Sequence, residues 1–214
     1  MSEISTRILE QYQIITGAMS AYPNAKLVAV SKRQNNEKIK VLVDAGHLDF
    51  GENYYQEWLE KKIVFPDNLR WHFIGGLQSR KVATLVKENI ACIHSLGSHS
   101  SISKYNALET KPDLGAMIQV NIASEDQKSG VTIDELKKLC DEGGLEYIKG
   151  LMTMPPAGLE ESELRKQFST LRQLAENYKL KELSMGMSSD WKIALDEGAT
   201  FIRLGSAIFG ERDY

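Results

Sequence analysis

The sequence predicts an α/β protein built as a closed barrel, a single-domain (β/α)8 TIM barrel with an extra N-terminal helix. Short β-rich runs alternate eight times with longer amphipathic runs, which is the pattern of parallel strands joined by helices. No glycine-rich fingerprint follows the first β-rich run, where an open dinucleotide-binding sheet would carry one. An amphipathic segment precedes that run and could cover the eighth strand, which would complete the ring of helices.

The strands are predicted where β-branched and aromatic residues are grouped between turn-forming residues. Closing these strands into a barrel leaves no exposed edge, whereas an open doubly wound sheet would keep two. In chain order the predicted strands are residues 26–32, 47–53, 70–76, 91–97, 114–121, 147–154, 182–187 and 201–210.

The segments between the strands carry start and stop signals for helices. Asn35 or Asn36 can cap one helix, and Gly46 follows where a left-handed residue commonly ends it. Thr132 and Glu135 form a capping box for another helix. Apolar stripes at helical spacing comprise Ile4, Ile8, Tyr12, Ile15 and Met19 before the first strand, Leu164, Phe168, Leu171, Ala175 and Tyr178 in the longest helix, and Trp191, Ala194 and Leu195 in a short one.

Composition and charge exclude several classes of function. Of the 214 residues 42% are hydrophobic and 26% are charged, which is typical of a soluble globular protein. The net charge is -3 and the basic residues are dispersed, so we expect neither nucleic acid nor membrane as a partner.

The N-terminus lacks the features of a signal peptide, which predicts a cytoplasmic protein. Cys92 and Cys140 share no metal-type spacing, so we predict two reduced thiols and no metal site.

Polar residues stand at or near the ends of several predicted strands. The carboxyl ends of the strands and the loops after them form the active face of such barrels. A barrel does not need polar side chains there for its stability, so the pattern predicts a shared pocket. These residues are Ser31, Lys32, Glu52, Asn53, His72, Gln78, His94, Ser95 and Asn121.

The loops after the seventh and eighth strands are candidates for phosphate binding. The segment LSMGMSSD, residues 183–190, ends a strand and begins a helix, so Ser188 or Ser189 could cap that helix, bind an anion, or do both. Gly205 and Ser206 follow the eighth strand, where backbone N–H groups could approach an anion without obstruction by a side chain at Gly205.

Lys32 closes the first strand and has two readings. Its side chain could extend along the surface into solvent, as lysines at strand ends commonly do. In a barrel mouth that binds phosphate, its amine could instead form an imine with a phosphorylated aldehyde. Such an amine must be unprotonated to react, and Arg203 could be the neighbouring cation that favours this state or could face a ring nitrogen.

With these residues identified, the sequence resembles the pyridoxal phosphate (PLP) homeostasis proteins, single-domain relatives of the alanine racemase barrel. The resemblance covers nearly the whole chain and implies one PLP-binding TIM-barrel domain over residues 1–214, of fold type III, with PLP as cofactor. The motifs that carry it are LVAVSK, FGENYYQE, WHFIGGLQSRK, IHSL, QVNIASEDQKSGV, GLMTMPP and the segment from LSMGMSSD to IFGERDY.

The resemblance also implies roles for individual residues. Lys32 would hold PLP as an internal aldimine, and Arg203 would lie by the pyridine nitrogen. Arg80 departs from the asparagine that relatives often carry at its position. Ser188, Gly205 and Ser206 would hold the phosphate, with Ser206 standing where many relatives carry threonine, and Met185, Asn53, His72 and Met152 would line the pocket.

The resemblance implies a carrier that binds PLP and supplies or buffers it for apo PLP-dependent enzymes, without turnover of its own. An amino-acid racemase or another slow PLP-dependent enzyme is the alternative, but racemisation requires an acid and a base on opposite faces of the substrate. The chain ends directly after the eighth strand, so we expect Lys32 to be the one clear base and the protein to be a monomer. A third hypothesis is a barrel that binds another phosphorylated metabolite without an imine.

Overall fold

A computed structural model describes residues 2–123 and 129–211 of the chain. Eight parallel strands form a closed barrel in which each strand pairs with its neighbours in chain order, so the predicted fold class is confirmed. The strands are β1 Lys26–Val30, β2 Asp49–Glu52, β3 Arg70–Phe73, β4 Cys92–Leu96, β5 Ala116–Gln119, β6 Ile148–Met152, β7 Glu182–Ser184 and β8 Phe201–Leu204.

The connecting segments are mainly helical, because their apolar residues recur at helical spacing and face the barrel. Within the described ranges the helices are α1 Glu3–Met19, α2 Asn36–Asp44, α3 Tyr55–Lys62, α4 Ser79–Lys87, α5 His99–Asn106, α6 Ile133–Asp141, α7 Glu161–Asn177, α8 Trp191–Asp196 and α9 Ser206–Phe209. In this part of the chain, none of the helices combines the length and apolar character needed to cross a bilayer.

Pairing between the first and last strands closes the barrel, with Leu27 in register with Ile202 and Ala29 in register with Leu204. Two apolar layers then follow from the alternation of side chains along each strand. One layer lies between the strands and the helices and contains most of the buried residues. The second fills the barrel and is formed by Val28, Cys92, Met117, Met152 and Phe201.

Helix α1 is the extra N-terminal helix that the sequence predicts. Its Ile8, Ile15 and Met19 are buried in the layer between strands and helices, and the helix packs against α2 and α9. Ile4 was expected on the same stripe, but its side chain is 57% exposed. The buried stripe begins one turn later because Ile4 lies in the first turn of the helix.

Several predicted helix ends are present in the structure. Asn35, rather than Asn36, caps α2, because its side chain accepts the backbone N–H of Lys38 at 2.9 Å. Thr132 and Glu135 form the predicted capping box of α6. Gly46 has a φ of +84°, a conformation that glycine adopts without steric cost, and it follows α2 as predicted.

The last predicted strand is corrected by the structure. Residues 201–210 were expected to be one strand, but β8 ends at Leu204 and α9 begins at Ser206. Ile208 and Phe209 belong to this short helix and are also buried. The apolar run in the sequence therefore continues past Leu204 although the strand does not. This early end leaves Gly205 and Ser206 at the rim of the barrel.

Candidate functional site

A pocket of about 320 Å³ opens at the carboxyl ends of the strands, a volume suited to a small ligand. It is bounded by loops that follow β1, β2, β3, β6, β7 and β8, as expected for the active face of such a barrel. Its lining residues are Val30, Lys32, Asn53, Ile74, Met154, Met187, Ser188, Ser189, Arg203, Gly205 and Ser206.

Lys32 is half-buried in the wall of the pocket, directly after β1. The preceding residue, Ser31, is anchored because its N–H donates to the Gly51 carbonyl at 3.0 Å and its Oγ donates to Glu52 Oε1 at 2.6 Å. The following residue, Arg33, has a φ of 58°, so the chain turns immediately after Lys32. The lysine is therefore attached to a short, constrained segment at the pocket wall.

Arg203 brings a buried positive charge to the pocket. Its Nη1 donates to Ser184 Oγ at 2.6 Å and its Nη2 donates to the Thr153 carbonyl at 2.9 Å. No carboxylate in the described part of the chain forms an ion pair with this guanidinium. Burial lowers the pKa of Arg203 to about 10, which still leaves it protonated at neutral pH. A buried cation held by neutral groups favours an anionic ligand.

The loop after β7 is joined to the segment after β8 by Ser188. Its Oγ accepts the backbone N–H of Ala207, in the first turn of α9, at 3.1 Å. Neither Ser188 nor Ser189 caps α8, contrary to one of the readings from the sequence. The N-cap position belongs to Asp190, whose carboxylate accepts the Met187 N–H at 2.6 Å and so closes the turn.

Asn53 contributes a polar atom without a partner. Its Oδ1 is buried and has no hydrogen-bond donor among the described residues, although the residue lines the pocket. Buried polar atoms in proteins are nearly always hydrogen-bonded, so an orphan acceptor in a pocket wall indicates a donor supplied from outside the chain.

Three predicted pocket residues lie elsewhere in the structure. His72 and Met152 are buried inside the barrel, whereas Met185 packs between the barrel and the helices. The resemblance implies that these three residues contact the cofactor, and this stays a prediction, although none of them is among the residues that line the pocket. Met154 and Met187, each two residues further along the chain, line the pocket instead.

The polar pattern at the strand ends therefore separates into groups. Lys32 and Asn53 reach the pocket, whereas Ser31 and Glu52 bond to each other outside its lining. The sequence analysis did not identify Ile74, Met154 and Met187 as lining residues. What they share in the sequence is a position just beyond the end of a strand.

Arg80 is exposed, and its Nε donates to Gln78 Oε1 at 2.9 Å, away from the pocket lining.

Comparisons with known proteins agree with this architecture. The family described as "Alanine racemase, N-terminal domain" matches residues 6–213. The "Pyridoxal phosphate homeostasis protein" of Aquifex aeolicus is 37% identical over 223 residues, covering 98% of this chain and 97% of that protein. PipY of Synechococcus elongatus, in a structure with PLP bound, is 32% identical, with a TM-score of 0.82 over 95% of this chain and 100% of that one.

A more distant structure shows the same barrel within a longer chain. Alanine racemase from Bartonella henselae has a TM-score of 0.80 and 19% identity over 97% of this chain, which corresponds to 59% of the racemase. That likeness is one of fold alone. The match to the alanine racemase N-terminal domain and the identity along almost the full length of the homeostasis proteins show that the chain belongs to the pyridoxal phosphate homeostasis protein family.

Proposed function

We propose that the protein binds PLP in the pocket at the mouth of the barrel and holds it for delivery to other proteins. The observation that carries this proposal is the convergence of an amine, a guanidinium and two loop segments on one pocket, through Lys32, Arg203, Ser188 and Gly205. PipY, which is similar over its whole length, has been solved with PLP bound.

The residues fit the chemistry of the cofactor. PLP supplies an aldehyde that condenses with a primary amine, a pyridine nitrogen and a doubly charged phosphate. Lys32 provides the amine, and the Arg203 guanidinium provides a positive charge on the same pocket wall. The buried Asn53 Oδ1, which has no donor within the described residues, supports a ligand at this wall.

Lys32 acts as the covalent anchor. When bound, PLP would supply an aldehyde, and the Lys32 amine would be the nucleophile that condenses with it and releases water. The anchored segment between Ser31 and Arg33 holds the amine at the pocket wall, which reduces the entropy lost on attachment.

The phosphate is bound between the loop after β7 and the start of α9. The Ile208 N–H donates to the Gly205 carbonyl and the Ala207 N–H to Ser188 Oγ, so the amide that we assign to the anion is the Ser206 N–H, at the first position of α9. Ser188 and Ser206 add hydroxyl groups at the same place. The bond from the Ala207 N–H to Ser188 Oγ holds the two segments together, so both sides of the phosphate site are positioned before it binds.

A carrier fits the pocket better than a racemase. Among the lining residues that fall within 2–123 and 129–211, Lys32 and Arg203 are the two with ionisable side chains. A racemase needs a second group, on the opposite face of the substrate, that exchanges a proton at neutral pH, and a guanidinium does not readily do so. We therefore propose binding, storage and transfer of PLP to apo-enzymes, by a monomer in the cytoplasm, rather than conversion of amino acids.

An absorption spectrum with chemical trapping tests the cofactor and its anchor. Purified protein supplied with PLP should show a visible absorption band, and borohydride reduction followed by peptide mapping should place the cofactor's mass on the peptide containing Lys32. Lys32→Ala should lose both signals, whereas Lys26→Ala, at the opposite end of β1, should retain them. Trapping on a different lysine, or no band in the native protein, would refute the proposed anchor.

A transfer assay separates a carrier from an enzyme. Loaded protein is mixed with an apo PLP-dependent enzyme, and activity should recover faster than with the same concentration of free PLP in the presence of a PLP scavenger. Chiral analysis of amino acids incubated with the loaded protein should detect no racemisation. Turnover lost in Lys32→Ala would favour the racemase alternative, and sedimentation at the mass of one chain would support the monomer.

A further inference from the structure

A line of buried polar side chains crosses the interior of the barrel from the pocket to the opposite end. Arg203 Nη1 lies 2.6 Å from Ser184 Oγ, which lies 2.7 Å from His94 Nδ1. His94 Nε2 lies 2.9 Å from His72 Nδ1, and His72 Nε2 lies 3.0 Å from Asp49 Oδ1. All five side chains are buried, and Asp49 opens β2 at the end of the barrel away from the pocket.

The carboxylate end of this line determines the direction of every hydrogen bond when both histidine rings are neutral, because each ring then has one donor and one acceptor nitrogen. A guanidinium can only donate, and an ionised carboxylate can only accept. Arg203 therefore donates to Ser184, whose own proton is directed to His94 Nδ1. His94 then carries its proton on Nε2 and donates to His72 Nδ1. His72 in turn donates from Nε2 to Asp49, so each of the four bonds uses one proton and no group lacks a partner.

This arrangement requires both histidines to be neutral and in the Nε2–H form. Burial lowers the pKa of His72 and lowers that of His94 further, which favours the neutral rings. Asp49 stays ionised because hydrogen bonds from His72 and Arg70 outweigh the effect of burial and hold its pKa well below the usual value. The charges thus remain at the two ends of the line.

A metal ion is the competing explanation for this cluster. Ligand atoms of His72, Cys92 and His94 lie within 4.8 Å of one another. A metal bound by all three would have to displace the bond between His72 Nδ1 and His94 Nε2 and deprotonate Cys92, whose pKa is raised by burial. The hydrogen-bonded line satisfies the histidines without either change.

We propose that Ser184, His94, His72 and Asp49 are positioning residues that orient the Arg203 guanidinium toward the ligand in the pocket. Ser184 and the Thr153 carbonyl hold two of its five N–H donors, and none of the carboxylates that the structure describes pairs with its positive charge. A neutral line ending at a distant carboxylate can orient the guanidinium without cancelling its charge. The inference rests on the proposed function only for the identity of the ligand, PLP.

The direct test is the protonation of the histidines in the protein without PLP. Nitrogen-15 NMR of histidine-labelled protein distinguishes the Nε2–H ring, the Nδ1–H ring and the imidazolium form. The chain contains four histidines, so a variant with both His47→Gln and His99→Gln retains only the signals of His72 and His94. Nε2–H forms of both His72 and His94 at neutral pH are expected. An Nδ1–H ring or an imidazolium at either position, or stoichiometric metal in the purified protein, would overturn the proposal.

The consequence for the ligand is tested with a matched pair of serine variants. Ser184→Ala removes the acceptor of Arg203, whereas Ser95→Ala removes a buried hydroxyl that has no partner among the described residues. Ser184→Ala should weaken PLP binding about tenfold and shift the visible band, whereas Ser95→Ala should change the affinity less than about twofold. Equal affinities would refute a positioning role.

The hydrogen-bonded line and the proposed function can be refuted independently of each other. If Ser184→Ala does not fold, the histidine spectra of the native protein still decide whether the line exists with the assigned direction. If the native protein binds no PLP, the proposed function fails, and Nε2–H forms of His72 and His94 would still support the line itself. Wrong ring forms in a protein that does bind PLP would refute the line and leave the proposed function intact.

Discussion

Lys61 Nζ lies 2.7 Å from Glu52 Oε1, and both side chains are almost completely buried. The ammonium group also donates to the Ser31 carbonyl at 2.6 Å and to Glu57 Oε1 at 2.6 Å. Glu57 in turn accepts the backbone N–H of Arg33. The residues on both sides of Lys32 are therefore held by one buried group of charges on β2 and α3.

We expect Lys61→Met to lower the free energy of unfolding by about 3–5 kcal/mol, because it leaves the buried Glu52 carboxylate without its cation. Lys40→Met is the matched control, since Lys40 pairs with Asp44 on the surface and should cost no more than about 0.5 kcal/mol. Urea unfolding measures both. Similar losses in the two variants would show that the buried pair contributes no more than a surface pair.

Gly75→Ala should displace Asn53 from the pocket wall. A Cβ atom at Gly75 would lie 2.1 Å from the Asn53 carbonyl oxygen, whereas a Cβ at Gly76 would meet nothing within 4 Å. We expect Gly75→Ala to cost about 1–3 kcal/mol of stability and to weaken PLP binding, with Gly76→Ala close to wild type. Spectrophotometric titration with PLP, beside urea unfolding, checks both. Tight binding in Gly75→Ala would show that the position of Asn53 is unimportant.

The fold was predictable because its signals are local and periodic. Each of the eight predicted runs contains one strand of the barrel, and the capping pair Thr132 and Glu135 marks the start of α6. The ends of strands were less predictable, since an apolar run continues wherever the next element is also buried. Ile208 and Phe209 extend the run of β8 although they belong to α9.

The pocket was predictable where position along the chain determines it. Lys32, Ser188 and Gly205 come after strand ends, and barrel topology brings all such residues to one rim. The depth of a residue inside the barrel is set by register and stagger between strands, which no single stretch of sequence reveals, so the bond between His72 and His94 was not predictable. Lys61 was missed because a lysine on an amphipathic helix carries no sign that it is buried.

The hydroxyl group of Ser206 can be tested without altering the fold. Ser206→Thr keeps the hydroxyl, and Ser206→Val has nearly the same shape without it. The residue is exposed at the start of α9, so both variants should fold normally. We expect PLP affinity within about twofold of wild type for threonine and about tenfold weaker for valine, because a bond to a charged phosphate is lost. Equal affinities would exclude Ser206 as a phosphate donor through its side chain.

Stability should increase as the pH rises from 5 to 7, because burial lowers the pKa of His47, His72 and His94 in the folded chain. In the unfolded chain each histidine titrates near pH 6.5, so below that value the unfolded state binds more protons and is favoured. For each histidine that stays neutral in the folded chain, the free energy of unfolding should fall by about 1.4 kcal/mol for every pH unit below 6.5. This loss ends at the pKa of that histidine in the folded chain. Urea unfolding at about pH 7.5, 6.5 and 5.5 measures the slope, which His47→Gln should reduce. Burial raises the pKa of Glu52 and Asp190, whose contributions have the opposite sign, so the test is the change in slope on removing a histidine. A slope that His47→Gln leaves unchanged would mean that His47 takes up its proton in the folded chain.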